Sequence, residues 1–113
     1  MATNSQIAFN PQGNTVVVAS ASTAPTGVQV SAGTNASGQY RIVNAGNVTV
    51  HLGVGATAAA AQANAVAAAA GVPAAGVPMV AGAVEILRFS ANAYFSGYSL
   101  SAATVYITPG KGI

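Results

Sequence analysis

Very few side chains in this 113-residue sequence could take part in acid–base chemistry. Four are charged at neutral pH and one more is a histidine: Arg41, Arg88, Lys111, Glu85 and His51. General acid–base catalysis needs titratable groups placed around a substrate, and a hydrolase triad here could use only His51, Glu85 and a serine, with no G-x-S-x-G motif present. Metal binding is limited to one histidine, one carboxylate and no cysteine, fewer ligands than a zinc site takes. We therefore expect a protein that is not an enzyme, with no catalytic residue, no metal and no cofactor.

One segment has the form of a cofactor motif. Gly53-Val54-Gly55-Ala56-Thr57-Ala58 fits G-x-G-x-x-[GA] and precedes a helix-prone stretch. A dinucleotide site also uses an acidic residue about 20 positions further on, and Glu85 is the only acid in the chain. The segment before the motif alternates, whereas strands of a parallel sheet are apolar on both faces. We interpret the glycines as a flexible exit from a strand.

The elements that must position these residues are short strands. Fifteen valines against three leucines favour strands, in which β-branched side chains pack well. Apolar runs bounded by Gly, Pro, Asn and Ser recur along the chain, and Val48–Val54 alternates apolar and other residues with a period of two. About eight such runs predict a single all-β domain over residues 1–113, an antiparallel β-sandwich of jelly-roll type.

Three segments have no evident place in that core. Residues 1–14 are expected to form an extended N-terminal arm, 56–80 an Ala-, Gly- and Pro-rich surface excursion, and 109–113 a C-terminal turn and tail. Within the excursion, Thr57–Ala70 is nearly all alanine, which leaves a short helix or a coil open. Because its apolar run is broken by glycine and proline, the excursion is not expected to span a membrane.

The scarcity of charge also bears on partners. Three dispersed cations form no cluster that could follow a phosphate backbone, so no nucleic acid is expected. Interface cores are depleted in charged residues, and a surface of this kind suits a subunit of a larger assembly. Glu85 and Arg88 lie three apart in a strand and therefore point to opposite faces, so Arg41 or Arg88 could pair with Glu85 only across strands or across a subunit boundary. The candidate interface residues are Ile7, Phe9, Arg41, Val72, Val77, Met79, Glu85 and Arg88.

The aromatic residues offer an alternative. Tyr94 and Tyr98 share one face of a strand with Ser96 between them, and such a pair could stack on sugar rings. The alternative function is therefore a receptor- or glycan-binding module of a surface appendage. Aromatic residues in strands more often supply core or interface area.

Part of the sequence resembles a known group of proteins. Tyr40–Gly46, Val48–Gly55, Ala81–Leu87 and Ala103–Gly112, which ends in Pro109-Gly110-Lys111-Gly112, are similar to segments of small head decoration or cement proteins of tailed bacteriophages. The resemblance covers residues 40–112 and departs at Lys111, where the phage pattern has Glu. It implies a jelly-roll protein of the virion that binds the outer capsid surface and stabilises it. The implied partners are the major capsid protein and further copies of the chain, as a dimer or trimer. For the receptor- or glycan-binding alternative, the resemblance implies a phage head fibre as the surface appendage.

Overall fold

The computed structural model describes residues 9–30 and 38–111, which form two packed antiparallel sheets. The prediction of an all-β sandwich is confirmed. The elements of this part of the chain are, in order, β1 (Asn10–Pro11), β2 (Val16–Ser20), β3 (Val28–Gln29), β4 (Gln39–Asn44), β5 (Val50–Gly55), α1 (Ala58–Asn64), β6 (Val77–Met79), β7 (Val84–Arg88), β8 (Tyr94–Tyr98) and β9 (Ala103–Lys111).

The first sheet is built around β9, its longest strand. One side of β9 pairs with β2 and, near its end, with β1, while the other side pairs with β4. β4 pairs in turn with β7, which is the last described strand on that side. Val105 and Ile107 of β9 are buried and Tyr106 between them is exposed, as the alternation predicts.

The second sheet has the order β3-β8-β5-β6. β5 alternates as its sequence predicts: Val50 and Leu52 are buried in the core, and His51 lies on the other face. β6 was not predicted because its middle residue is Pro78, which cannot donate a ladder hydrogen bond and belongs at an edge. Its place at the end of the described sheet satisfies that restriction.

The core between the sheets centres on Tyr40. Its ring packs edge-on against Phe95, with 4.9 Å between the centroids and 67° between the planes. The Tyr40 hydroxyl donates to the backbone carbonyls of Ser90 and Ala91, at 2.8 Å each. Burial raises the pKa of Tyr40 above 10.0, and a backbone hydrogen bond with Ala93 offsets part of the rise.

The alanine-rich stretch forms α1, which covers the outer face of the second sheet. Thr57 caps its N-terminus, because its Oγ1 accepts a hydrogen bond from the Ala60 amide at 3.1 Å. Ala61 and Ala65 are buried against β5 and β8. None of the helical structure in residues 9–30 and 38–111 has the length and apolar character needed to cross a membrane.

Among the described residues, parts of the three segments that were predicted to lie outside the core belong to the sandwich. Pro109 and Gly110 are buried in β9, so 109–111 is a strand and not a tail. Asn10–Pro11 pairs with that end of β9, so the described part of the N-terminal arm forms a strand. The excursion supplies α1 and β6. The prediction was wrong for 109–111 because β9 continues beyond its alternating residues through Pro109 and Gly110, and for α1 because alanine is small enough to bury a helix directly on a sheet.

Candidate interaction surface

A row of apolar side chains crosses the outer face of the first sheet. Strand register places Val17 opposite Tyr106, Tyr106 opposite Val43, and Val43 opposite Val84, so the four residues form one line across β2, β9, β4 and β7. Ile86 lies two residues along β7 on the same face. We call these five residues the apolar row.

The apolar row is exposed to solvent. Relative exposure is 51% for Val17, 41% for Tyr106, 51% for Val84 and 49% for Ile86. Single exposed hydrophobic residues are common on protein surfaces. Side chains that meet across strands form a contiguous patch, and such patches mark interaction sites. In an antiparallel sheet with one solvated face, polar residues would be expected at these positions.

Both arginines lie on the same face, beside the apolar row. Arg41 is opposite Ile86 on one side and Thr108 on the other, and Arg88 is opposite Gln39. Tyrosine and arginine are the residue types that contribute most to binding at interfaces. The outer face of the first sheet therefore combines apolar area with two positive charges.

Glu85 does not join this face. It lies opposite Ile42, whose side chain is buried in the core, so Glu85 projects from the inward side of β7, at the exposed margin of the sandwich. The register thus separates Glu85 from Arg41 and Arg88, and the predicted cross-strand pair within one chain is not formed. Pairing across a subunit boundary stays a prediction. A charge on the inward side of an outer strand also discourages uncontrolled strand pairing.

β7 presents backbone groups as well as side chains. The Phe89 amide donates to the Gly38 carbonyl, and the Asn44 amide donates to the Ala83 carbonyl, so the odd-numbered residues of this strand face β4. The amides and carbonyls of Val84, Ile86 and Arg88 therefore point away from β4, where no described strand pairs with them. An extended segment of a partner could add a strand here.

The other predicted interface residues lie in different environments. Ile7 lies outside the described residues. Phe9 is half-buried, and its ring lies beside Gly110. Val72 is exposed in the loop after α1. Val77 is half-buried and packs against the core.

Met79 corrects the prediction for the excursion. It is 1% exposed, and it fills the core from β6. Met79 therefore cannot contact a partner while the sandwich is intact. The sequence concealed this role, because a three-residue strand with a central proline gives almost no alternation.

The two tyrosines of the glycan alternative share one face, as predicted. Tyr94 and Tyr98 are on the outer face of the second sheet, opposite Gly55 and His51. Ser96 between them is buried, and its hydroxyl donates to the Pro25 carbonyl at 2.6 Å. Stacking of a sugar on this pair stays a prediction.

The glycines of the apparent cofactor motif pack against α1. A Cβ atom on Gly53 would overlap the Ala61 carbonyl oxygen and the Ala65 amide nitrogen, and one on Gly55 would lie 2.7 Å from the Ala61 amide nitrogen. Close approach of the helix to the strand explains these glycines better than a flexible exit.

None of the five residues of the apolar row was predicted from the sequence to lie at an interface. The signal was present as consecutive apolar residues in single strands, Val16-Val17-Val18 and Val105-Tyr106-Ile107. Since a strand can bury only alternate residues on one side, the middle member of each triplet must face outward. Which triplets align into one row depends on register, which the sequence does not state.

Comparison of the chain with protein-family models, with curated proteins and with solved structures finds no match.

Proposed function

We propose that the chain is a structural protein of a virion that binds the outer capsid surface and stabilises it, without catalysing a reaction. The observation that carries the proposal is the apolar row, an exposed line of large side chains across four strands. Such a line is best explained by a protein surface that covers it. The resemblance of residues 40–112 to phage decoration proteins supplies the kind of partner.

The chemistry of the surface supports a modest affinity per copy. Full burial of a large apolar side chain is worth about 1.5–3 kcal/mol, and these side chains are already half covered. Association costs several kcal/mol in lost freedom, so one copy on its own would bind weakly. A protein that bridges repeated sites on a shell gains from multivalency, which suits this surface to decoration.

The distribution of charge indicates which kind of capsid surface would fit this face. Arg41 and Arg88 flank the apolar row, and Glu85, the only acid in the chain, is on the other side of β7. A complementary capsid surface would therefore be apolar with acidic groups at its border. Increasing salt should then slow association more than it weakens the apolar contact.

The test is to add the purified chain to capsids of the virus that encodes it, or of a virus carried by the cell that encodes it. Electron cryomicroscopy then shows whether the chain is bound to the particles. Tyr106→Ser combined with Val84→Ser should abolish binding, because both side chains face solvent and their loss removes two of the five side chains of the row. Val66→Ser, a comparably exposed valine just after α1 that is not a predicted interface residue, is the matched control and should bind normally. Binding by the double variant at the wild-type level would refute the assignment of this face. Absence of the wild-type chain from the particles would refute the function itself.

A further inference from the structure

A cavity opens on the other side of the sandwich, at the end where β5 begins and β8 ends. Its volume is about 380 Å³, near the lower end of the range of roughly 300–1,000 Å³ for small-molecule sites. The walls come from the β4–β5 connection, from β5, from the β6–β7 connection and from the end of β8. The lining residues are Asn47, Val48, Thr49, His51, Ala81, Tyr98 and Leu100.

One wall of the cavity is aromatic and apolar. The rings of His51 and Tyr98 are neighbours across β5 and β8, with centroids 5.9 Å apart and a 38° tilt. Leu100 is 82% exposed at the rim, although large aliphatic side chains gain free energy by burial. A ligand with a hydrocarbon face would cover both the rings and this leucine.

The cavity also offers polar groups that have no partner. The Asn47 amide and the Thr49 hydroxyl make no hydrogen bond with another residue of the described chain. His51 Nδ1 is enclosed and likewise unpartnered among the described residues. Of these groups only His51 Nδ1 is enclosed, and a buried polar atom without a hydrogen bond is uncommon in folded proteins and calls for an explanation. A purely apolar ligand would leave Asn47 and Thr49 desolvated and unpaired, which is costly.

The absence of charged residues from the lining indicates that the ligand is uncharged. No arginine, lysine or glutamate is among the lining residues. A charged ligand would lose hydration here without gaining a counter-charge. The fitting ligand is neutral and of single-ring size, with an apolar face and a border of hydroxyl groups. That description is met by a neutral saccharide.

We propose that this cavity binds a neutral saccharide ring, with Tyr98 and His51 under its C–H face and Asn47 and Thr49 bonded to its hydroxyl groups. The site differs from the predicted Tyr94–Tyr98 platform, because it uses one of those tyrosines and three residues that were not predicted to bind sugar. It does not depend on the proposed capsid contact. A copy bound to a shell through the first sheet would carry the cavity on its second sheet.

His51 makes the proposal directly measurable. It is the only histidine in the chain, so its ring signals in a ¹H–¹³C NMR spectrum need no assignment experiment. Glucose, galactose, mannose and N-acetylglucosamine are titrated up to roughly 50 mM, a range that covers weak single-ring affinities. At least one should shift the His51 signals and saturate. Glucuronate and cyclohexanol serve as the charged and the hydroxyl-poor probes, and both should bind at least tenfold more weakly.

Variants separate binding from folding. Tyr98→Ser should weaken binding about tenfold or more, whereas Tyr94→Ser, on the same face but outside the cavity, should leave the affinity unchanged. Thr49→Val, which keeps the side-chain shape, should weaken binding severalfold without lowering the melting temperature. No shift of His51 with any neutral sugar would overturn the proposal. Equal loss in the Tyr94 and Tyr98 variants, or tighter binding of glucuronate or cyclohexanol, would also overturn it. None of these results would bear on capsid binding.

Discussion

Substitution of Gly53 by alanine tests whether the sandwich depends on close packing of α1. Gly53 lies on the outer face of β5, directly beneath the helix. A Cβ atom there would overlap the Ala61 carbonyl oxygen and the Ala65 amide nitrogen and would lie 2.7 Å from the Ala65 Cα. All three atoms belong to the helix backbone, which cannot rotate away as a side chain can. The helix must therefore rise from the sheet or the strand must bend.

The expected loss is about 3 kcal/mol in the free energy of unfolding. Overpacking a well-filled site costs about 1–3 kcal/mol and sometimes more, and backbone contacts place this site at the upper end. Retreat of the helix by 0.5–1 Å would also forfeit roughly a quarter to a half of the dispersion contact beneath it. With roughly 4 °C per kcal/mol for a chain of this size, the melting temperature should fall by about 10 °C. Backbone entropy alone predicts the opposite sign, a gain of about 0.4–1 kcal/mol for Gly→Ala.

Thermal unfolding followed by circular dichroism measures the loss, and hydrogen exchange of the α1 amides locates it. Gly97→Ala is the matched control in the neighbouring strand. Its Cβ would meet only side-chain atoms, Val50 Cγ1 at 3.1 Å and Ser20 Cβ at 3.2 Å, which can adjust. The Gly97 variant should lose less stability and keep α1 protected. If Gly53→Ala were as stable as the wild type, with α1 still protected from exchange, the packing argument would be wrong.

Four further substitutions test other parts of the structure. Asn44→Ala should cost about 2–3 kcal/mol in urea unfolding, since its buried amide donates to the Val48 and Met79 carbonyls at 2.9 Å, and Asn47→Ala in the same connection should cost little. Because folding raises the pKa of Tyr40, stability should be intact below pH 10 and fall at higher pH, by up to about 1.4 kcal/mol per unit, until the folded form also ionises; Tyr40→Phe should flatten this alkaline slope. Thr57→Ala should cost about 1 kcal/mol in thermal unfolding through loss of the helix cap. Glu85→Gln should change stability by less than about 0.5 kcal/mol in the same assay, and a larger loss would reveal an ion pair that the register does not allow.

Most strands and the fold class could be predicted from the sequence because both depend on local alternation of apolar and polar residues. Val48–Val54 and Thr104–Thr108 were correctly predicted as strands, since each buries alternate residues against the same core. β6 was not predicted because its three residues around Pro78 are too few to show an alternating pattern. The end of β9 was predicted as a turn because Pro109-Gly110 is typical of one. Only its pairing with β1 and β4 keeps this end extended.

The two candidate sites depend on residues that are distant in sequence. The apolar row joins Val17 and Val84, which are 67 positions apart, through two strands whose register fixes the line. The cavity joins Asn47 to Leu100 through the ends of two strands and two connections. No local pattern marks either set. Arg41 and Arg88 were selected from the sequence for their rarity, and both lie on the face of the apolar row.

The contrast between the two sheets is the strongest argument for the proposed partner. Each sheet has an outer face that needs a cover or polar side chains. On the second sheet the chain supplies a cover itself: α1 lies over β5 and β8, and Gly53 and Ser96 are buried beneath it. On the first sheet the described chain supplies none, and yet Val17, Tyr106, Val84 and Ile86 are apolar there. Polar residues would serve a permanently solvated face better, at little cost to the strands. The contrast therefore supports the proposal that another protein covers the apolar row.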